Sequence, residues 1–93
     1  MINRDRMVKT FCELAVIDSP SGEEDEIATD LRRRLEALEL TVRADEYGNL
    51  VAREGPPSPL LLSAHMDTVE PGRGIKPSVE NDRIVTDGST ILG

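Results

Sequence analysis

The sequence predicts an α/β fold in which two N-terminal helices pack on a mixed sheet. Apolar residues recur at intervals of three and four in the first part of the chain, which is the helical period. Later segments alternate polar and apolar residues around turn sequences, which is typical of strands. A short apolar run at Leu60–Ala64 is typical of a buried strand, and we expect it to form the central strand of the sheet.

The first helix is predicted from about Asn3 to Ile17, ending before Asp18-Ser19-Pro20. Its apolar positions at helical spacing are Met7, Val8, Phe11, Leu14 and Ala15. Cys12 lies among them, which favours a small buried side chain over a reactive nucleophile. Because it is the single cysteine, an intramolecular disulfide is impossible, and we expect a reducing, cytoplasmic environment.

The second helix is predicted to begin with a capping box and to run to about Leu38. In this box the Ser21 hydroxyl accepts from the Glu24 N–H, and the Glu24 carboxylate accepts from the Ser21 N–H. The acidic run from Glu23 to Glu26 fits the positive end of the helix dipole, so we interpret it as capping charge and not as a metal site. The predicted buried stripe comprises Ile27, Ala28, Leu31, Leu35 and Leu38.

Two hairpins are predicted in the remainder of the chain. Residues 41–45 and 50–52 flank a turn at Glu46-Tyr47-Gly48-Asn49, and Val79 and residues 84–86 flank a second turn. The proline-rich segment 55–59 cannot continue a sheet ladder, so we interpret it as a stiff connector into the Leu60 strand.

Composition limits the size of the core and the kind of partner. The chain has 93 residues, 38% of them hydrophobic, and its only aromatic residues are Phe11 and Tyr47. Residues 1–93 therefore form one small domain or part of one, with a thin core. The net charge of −7 disfavours nucleic acid and anionic membranes as partners. The basic cluster at residues 32–34 is interpreted as a solvated face paired with neighbouring acids.

The most informative feature is the His65-Met66-Asp67 triplet that follows the apolar run. Residues two apart on a strand point to the same face, so His65 and Asp67 are predicted to project together. An imidazole that binds a metal commonly donates its second ring N–H to a carboxylate. His65 is therefore a candidate metal ligand and Asp67 a candidate catalytic residue that orients it. The alternative is a histidine at a strand end followed by an aspartate that begins a turn.

Several segments, taken in order, resemble the co-catalytic zinc peptidases and deacylases, a family that includes tripeptide aminopeptidase (peptidase T), aminoacylases, glutamate carboxypeptidases and succinyl-diaminopimelate desuccinylase. The segments are Ser19-Pro20-Ser21-Gly22-Glu23-Glu24, Asp45-Glu46-Tyr47-Gly48-Asn49-Leu50, Ser63-Ala64-His65-Met66-Asp67-Thr68-Val69 and Thr86-Asp87-Gly88-Ser89-Thr90-Ile91-Leu92-Gly93. The tripeptide-aminopeptidase branch fits best. The resemblance implies that His65 is a ligand of one of two zinc ions and that Asp67 is the carboxylate orienting it.

The same resemblance implies an incomplete site and a truncated three-layer α/β/α domain, cut at its C-terminal end. A zinc hydrolase needs several protein ligands, an open position for water and a carboxylate that takes the water's proton. One histidine and one orienting carboxylate do not supply these. We therefore expect the complete protein to cleave short peptides or N-acyl amino acids, and this chain alone to be inactive and to bind zinc weakly at most.

A second hypothesis belongs to a different class. The chain could be a stand-alone, non-catalytic acidic α/β module that associates with itself through an unfinished sheet edge. A natural stop after Gly93 would favour this hypothesis, whereas coding sequence continuing into an Ala-Asp-Asp motif would establish the enzyme. The sequence leaves the substrate and the choice among zinc, cobalt and manganese open.

Overall fold

The computed structural model describes residues 2–93 and contains two α-helices and two separate two-stranded sheets within that range. The helices are α1 (Arg4–Ala15) and α2 (Asp25–Ala37). The strands are β1 (Thr41–Ala44), β2 (Leu50–Arg53), β3 (Ser78–Glu80) and β4 (Arg83–Val85). The predicted α/β class and both helices are confirmed. None of the helices in this range is long and apolar enough to cross a membrane.

Helix α1 forms where the periodicity predicts it, one to two residues shorter at each end. Asn3 is its N-cap, and the side-chain oxygen of Asn3 accepts a hydrogen bond from the Arg6 N–H at 3.0 Å. The apolar stripe is only partly covered, since Met7 is 56% exposed and Phe11 is 39% exposed. Cys12 is half-buried, so the prediction of a small buried side chain is met only in part.

Helix α2 begins at Asp25, and the predicted capping box does not form. Glu24 is the N-cap without a capping side-chain bond; its carboxylate accepts instead from the Gly22 N–H at 2.8 Å. The Ser21 N–H donates to the Thr68 carbonyl at 3.2 Å, so it is unavailable to Glu24. The tertiary contact with Thr68 therefore replaces the local motif. Ile27 on this helix is buried, at 5% exposure, while the predicted stripe residue Leu38 is 71% exposed.

Both predicted hairpins are confirmed. Strands β1 and β2 pair antiparallel with Val42 opposite Ala52, and β3 and β4 pair antiparallel with Val79 opposite Ile84. The β3–β4 turn places Asn81 and Asp82 at positive φ, the geometry that two-residue hairpin turns favour. Helix α2 packs on the β1–β2 hairpin.

The prediction of a mixed sheet with Leu60–Ala64 as its central strand is wrong for residues 2–93. This segment is in neither a helix nor a strand, and Leu60, Leu61 and Leu62 are 72%, 83% and 86% exposed. A strand needs a partner for its backbone N–H and C=O groups, and the strands of each hairpin pair with each other. The parallel contact that does form is an isolated bridge between Pro20 and Thr68.

That bridge belongs to a network joining residues 18–23 to residues 67–74. The Thr68 N–H donates to the Ser19 carbonyl at 2.8 Å, and the Gly74 N–H donates to the Asp18 carboxylate at 2.8 Å. The Arg73 guanidinium pairs with the Glu23 carboxylate. Ser19 and Ile75 are both 3% exposed, so this junction is among the most buried parts of the structure.

The arginine cluster on α2 is paired with acids, as predicted. Asp30 accepts from Arg33 and from Arg34, each at 2.7 Å, and Arg34 also pairs with Glu13 of α1 at 3.0 Å. Arg32 lies 3.7 Å from Glu36 one turn along the helix. The cluster therefore links the two helices.

Candidate active site

His65 and Asp67 lie directly after the exposed leucine segment, and their side chains meet. The distance between His65 Nδ1 and Asp67 Oδ1 is 3.0 Å. The imidazole is 81% exposed and the carboxylate 37% exposed. The pairing predicted from their spacing is thus present even though the segment before them is not a paired strand.

Ser21 completes the cluster from a distant part of the sequence. Its hydroxyl donates to Asp67 Oδ2, so the two oxygens of this carboxylate have different partners. The loop before α2 carries Ser21, and the bridge between Pro20 and Thr68 holds that loop beside Asp67. The cluster is therefore positioned by the backbone junction.

The electrostatics of the cluster favour an ionised carboxylate. The hydrogen bond from the Ser21 hydroxyl, followed by the hydrogen bond with His65, lowers the pKa of Asp67. A carboxylate that remains ionised can accept from both partners at once. Asp67 is thus suited to hold a neighbouring ring N–H.

The cluster opens into a cleft of about 600 Å³ between α2, the β1–β2 turn and residues 63–67. Its apolar wall comes from α2, with Ala28, Leu31 and Leu35. Glu24 and Asp25, at the start of the same helix, contribute carboxylates. The cleft thus combines an apolar wall with acidic groups and an exposed imidazole.

The residues of this cluster fit one ligand position of a metal site. With Nδ1 facing Asp67, the other ring nitrogen, Nε2, remains available on an exposed side chain. This is the arrangement in which metal-binding histidines are found in proteins. Within residues 2–93, however, there is no group of three or more histidine, cysteine, aspartate or glutamate side chains that could hold a metal ion.

The sequence did not predict Ser21 as a member of the site. A serine followed three residues later by a glutamate is the usual signature of a capping box, and that motif predicts a local partner for the hydroxyl. The signal in the sequence against a helix start at Ser21 was the glycine that follows it. Gly22 has φ +88°, a backbone conformation that glycine adopts readily and that does not occur within a helix. No feature of the sequence predicted the ion pair between Arg73 and Glu23.

Comparison of sequences relates the chain to longer proteins. Over 104 aligned residues it is 38% identical to the uncharacterized protein YqjE of Bacillus subtilis, and the alignment covers 100% of this chain and 28% of YqjE. The chain thus spans just over a quarter of that relative's length. No protein-family model matches the chain.

In the comparison of structures, the chain also covers about a quarter of its relatives' length. The fold matches the aminopeptidase PepT of Bacillus cereus with a TM-score of 0.90 and 38% identity, covering 99% of this chain and 28% of PepT. It matches a tripeptidase of Staphylococcus aureus with a TM-score of 0.89 and 42% identity, covering 100% of this chain and 28% of the tripeptidase. The chain is thus similar in sequence and in fold to about a quarter of a tripeptidase chain, which agrees with the resemblance of its motifs to the peptidase and deacylase family.

Proposed function

We propose that this chain supplies one metal ligand and its orienting carboxylate to the active site of a metal-dependent peptidase of the tripeptide-aminopeptidase type. The observation that carries the proposal is the 3.0 Å contact between His65 Nδ1 and Asp67 Oδ1, which leaves Nε2 available. The similarity to PepT and to a tripeptidase supports the reaction class.

In this proposal each residue has a separate role. His65 offers the Nε2 lone pair to the metal, and Asp67 is the catalytic carboxylate that fixes the ring and raises its basicity. When bound, zinc supplies Lewis acidity toward a scissile carbonyl and toward water. The remaining ligands and the group that takes the proton from water would come from outside this chain, because a hydrolytic zinc site uses three protein ligands.

The proposed substrate is a short peptide or an N-acyl amino acid, and the proposed setting is the cytoplasm. The net charge of −7 supports a small substrate over nucleic acid or a membrane surface. The single, unpaired cysteine supports a reducing compartment. The cleft beside His65 has room for a small substrate, because pockets for small ligands have volumes of about 300–1,000 Å³.

Tripeptide hydrolysis by the longer protein that contains this chain tests the proposal. His65→Ala should abolish turnover because it removes a metal ligand. Asp67→Asn should keep the fold and lose roughly 10–100-fold in activity or metal affinity, since an amide can hydrogen-bond the ring but carries no charge. Metal content should fall less in Asp67→Asn than in His65→Ala.

Glu80→Gln is the matched control, because Glu80 also accepts from a serine hydroxyl, that of Ser78 at 3.1 Å, but lies on β3 away from the cleft. Its activity should equal that of the parent. Full activity in Asp67→Asn with normal metal occupancy would show that Asp67 is a turn residue and would refute the proposal.

A further inference from the structure

We infer that Ser21 is a positioning residue for the active site, whose hydroxyl holds the Asp67 carboxylate in the orientation that receives the His65 Nδ1–H. The inference deepens the proposed function, on which it rests. Ser21 lies 46 positions before Asp67 in the sequence, so the contact depends on the tertiary fold.

The two carboxylate oxygens of Asp67 have different hydrogen-bond partners. The carboxylate offers Oδ2 to the Ser21 hydroxyl and Oδ1 to the His65 ring. A carboxylate with a single partner can rotate about the bond to its Cβ, because rotamer wells at such sp²-terminated torsions are broad. Two partners on different oxygens restrict that rotation, so Ser21 determines where Oδ1 points.

Ser21 can act in this way because the backbone holds it independently of the imidazole. Its N–H donates to the Thr68 carbonyl at 3.2 Å, one residue beyond Asp67. The Thr68 N–H in turn donates to the Ser19 carbonyl at 2.8 Å, and Ser19 is 3% exposed. The hydroxyl and the carboxylate are therefore carried on two backbones that are hydrogen-bonded to each other beside the contact.

Two further contacts join the same two loops. The Arg73 guanidinium pairs with Glu23, two residues beyond Ser21, and the Gly74 N–H donates to Asp18 at 2.8 Å. His65 takes part in neither contact. The positions of Ser21 and Asp67 are therefore held by contacts that do not involve the His65 ring.

The orientation of the Asp67 carboxylate affects which ring nitrogen of His65 carries the proton. A neutral imidazole carries its proton on Nδ1 or on Nε2, and the hydrogen bond that one nitrogen makes decides the tautomer. The Asp67 carboxylate favours the proton on Nδ1, which leaves the Nε2 lone pair for a metal. Loss of the Ser21 hydroxyl should therefore increase the population with a proton on Nε2, the nitrogen required for metal binding.

Nitrogen NMR of the isotope-labelled chain measures this population directly, because His65 is the only histidine and its ring signals need no assignment. The spectra are recorded without metal, at a pH well above the usual imidazole pKa of about 6.5. The variants are Ser21→Ala, which removes the hydroxyl, and Ser21→Thr, which keeps it. Ser78→Ala is the matched control, since it removes another serine hydroxyl that donates to a carboxylate.

In the parent chain, in Ser21→Thr and in Ser78→Ala, we expect the Nδ1-protonated form to dominate. In Ser21→Ala we expect a shift toward the Nε2-protonated form. Zinc affinity should fall in Ser21→Ala by less than the roughly 10–100-fold expected for loss of the orienting carboxylate itself, and Ser21→Thr should restore it.

An unchanged tautomer ratio in Ser21→Ala would overturn the inference, as would a parent chain in which the Nε2-protonated form dominates. If Ser21→Ala loses its dispersed amide spectrum, Ser21→Cys, a near-isosteric variant with a weak S–H donor, takes its place under the same two criteria. Because the ratio is read without metal, its failure is distinguishable from failure of the proposed function, which is read in turnover and metal content.

Discussion

At the residue scale, Gly72 lies where the loop after Asp67 folds back on itself. A Cβ at this position would lie 2.5 Å from the Val69 carbonyl oxygen and 2.9 Å from Thr68 Oγ1. Gly72 is buried, and the nearest atom belongs to the backbone, so a side chain cannot be accommodated by a rotamer change. Thr68 also forms the bridge to Pro20, so strain at Gly72 would act on the junction that holds Ser21 beside Asp67.

Gly72→Ala should therefore destabilise the chain by about 1–3 kcal/mol, the usual cost of inserting atoms into a packed region. Gly93→Ala is the control, because a Cβ there would lie at an ordinary 3.7 Å from Phe11 Cζ and should change stability by less than about 0.5 kcal/mol. Urea unfolding followed by circular dichroism measures both. Equal midpoints for the two variants would show that the loop opens without cost.

Also at the residue scale, the sequence predicted the contact between two of the three residues in the candidate site. The spacing of His65 and Asp67 predicted that their side chains would meet, and they do, at 3.0 Å. Ser21 could not be predicted because its partner is 46 residues away, and a local capping motif explained the same residues equally well. Spacing in the sequence predicts contacts between neighbouring residues. A contact between residues far apart in the sequence can be predicted only when the tertiary structure is known.

At the scale of elements, the two helices are joined by an ionic cluster on α2. Asp30 accepts from Arg34 and Arg33, and these two hydrogen bonds, that from Arg34 first, lower the pKa of Asp30 below its ordinary 3.8. Arg34 extends the cluster to Glu13 on α1 at 3.0 Å. Because the folded-state pKa is lowered, the stabilisation is fully present above 3.8 and is lost as the pH falls through the lower, folded-state value.

Asp30→Asn should therefore lower the thermal unfolding midpoint by about 2–6 °C at neutral pH. The difference from the parent should begin to shrink as the pH falls below 3.8 and should vanish below the lowered pKa of the folded state, where the parent carboxylate is neutral as well. Glu46→Gln, in the exposed β1–β2 turn, is the control at both pH values. A midpoint difference for Asp30→Asn that stays constant down to the most acidic pH would show that packing, and not charge, accounts for it.

The elements that the sequence predicted well are those stabilised by their own residues. Helical periodicity located α1 and α2, and turn chemistry located both hairpins, because each hairpin pairs with itself. The Leu60–Ala64 segment is different, since an apolar run signals burial but does not supply a partner strand. Its leucines are exposed, and within residues 2–93 no strand pairs with this segment.

At the scale of the whole molecule, residues 2–93 are less compact than a self-sufficient domain. The radius of gyration is 14.7 Å, whereas about 12 Å is typical for this length. The buried hydrophobic residues in this range are Ile27 and Ile75, and the exposed ones include Phe11, Tyr47 and the three leucines at residues 60–62. A core of this size leaves much of the apolar surface of these residues exposed.

The exposed apolar surface should be detectable in solution. We expect the chain to bind a hydrophobic dye and to self-associate with increasing concentration, because exposed apolar patches and unpaired extended segments promote association. Leu61→Lys should reduce both effects, whereas Leu38→Lys, at a residue that is also exposed but lies at the end of α2, should have less effect. Concentration-independent monomer behaviour in sedimentation, without dye binding, would contradict this expectation.

The central claim is that His65 provides one ligand of a metal site that the chain does not complete alone. Zinc titration calorimetry on the chain and on His65→Ala tests it most directly. We predict weak binding, with a Kd above the micromolar range, that disappears in His65→Ala, since a stable zinc site needs several protein ligands and the described residues offer no group of three. Stoichiometric zinc bound with a submicromolar Kd, or binding that persists unchanged in His65→Ala, would contradict the claim.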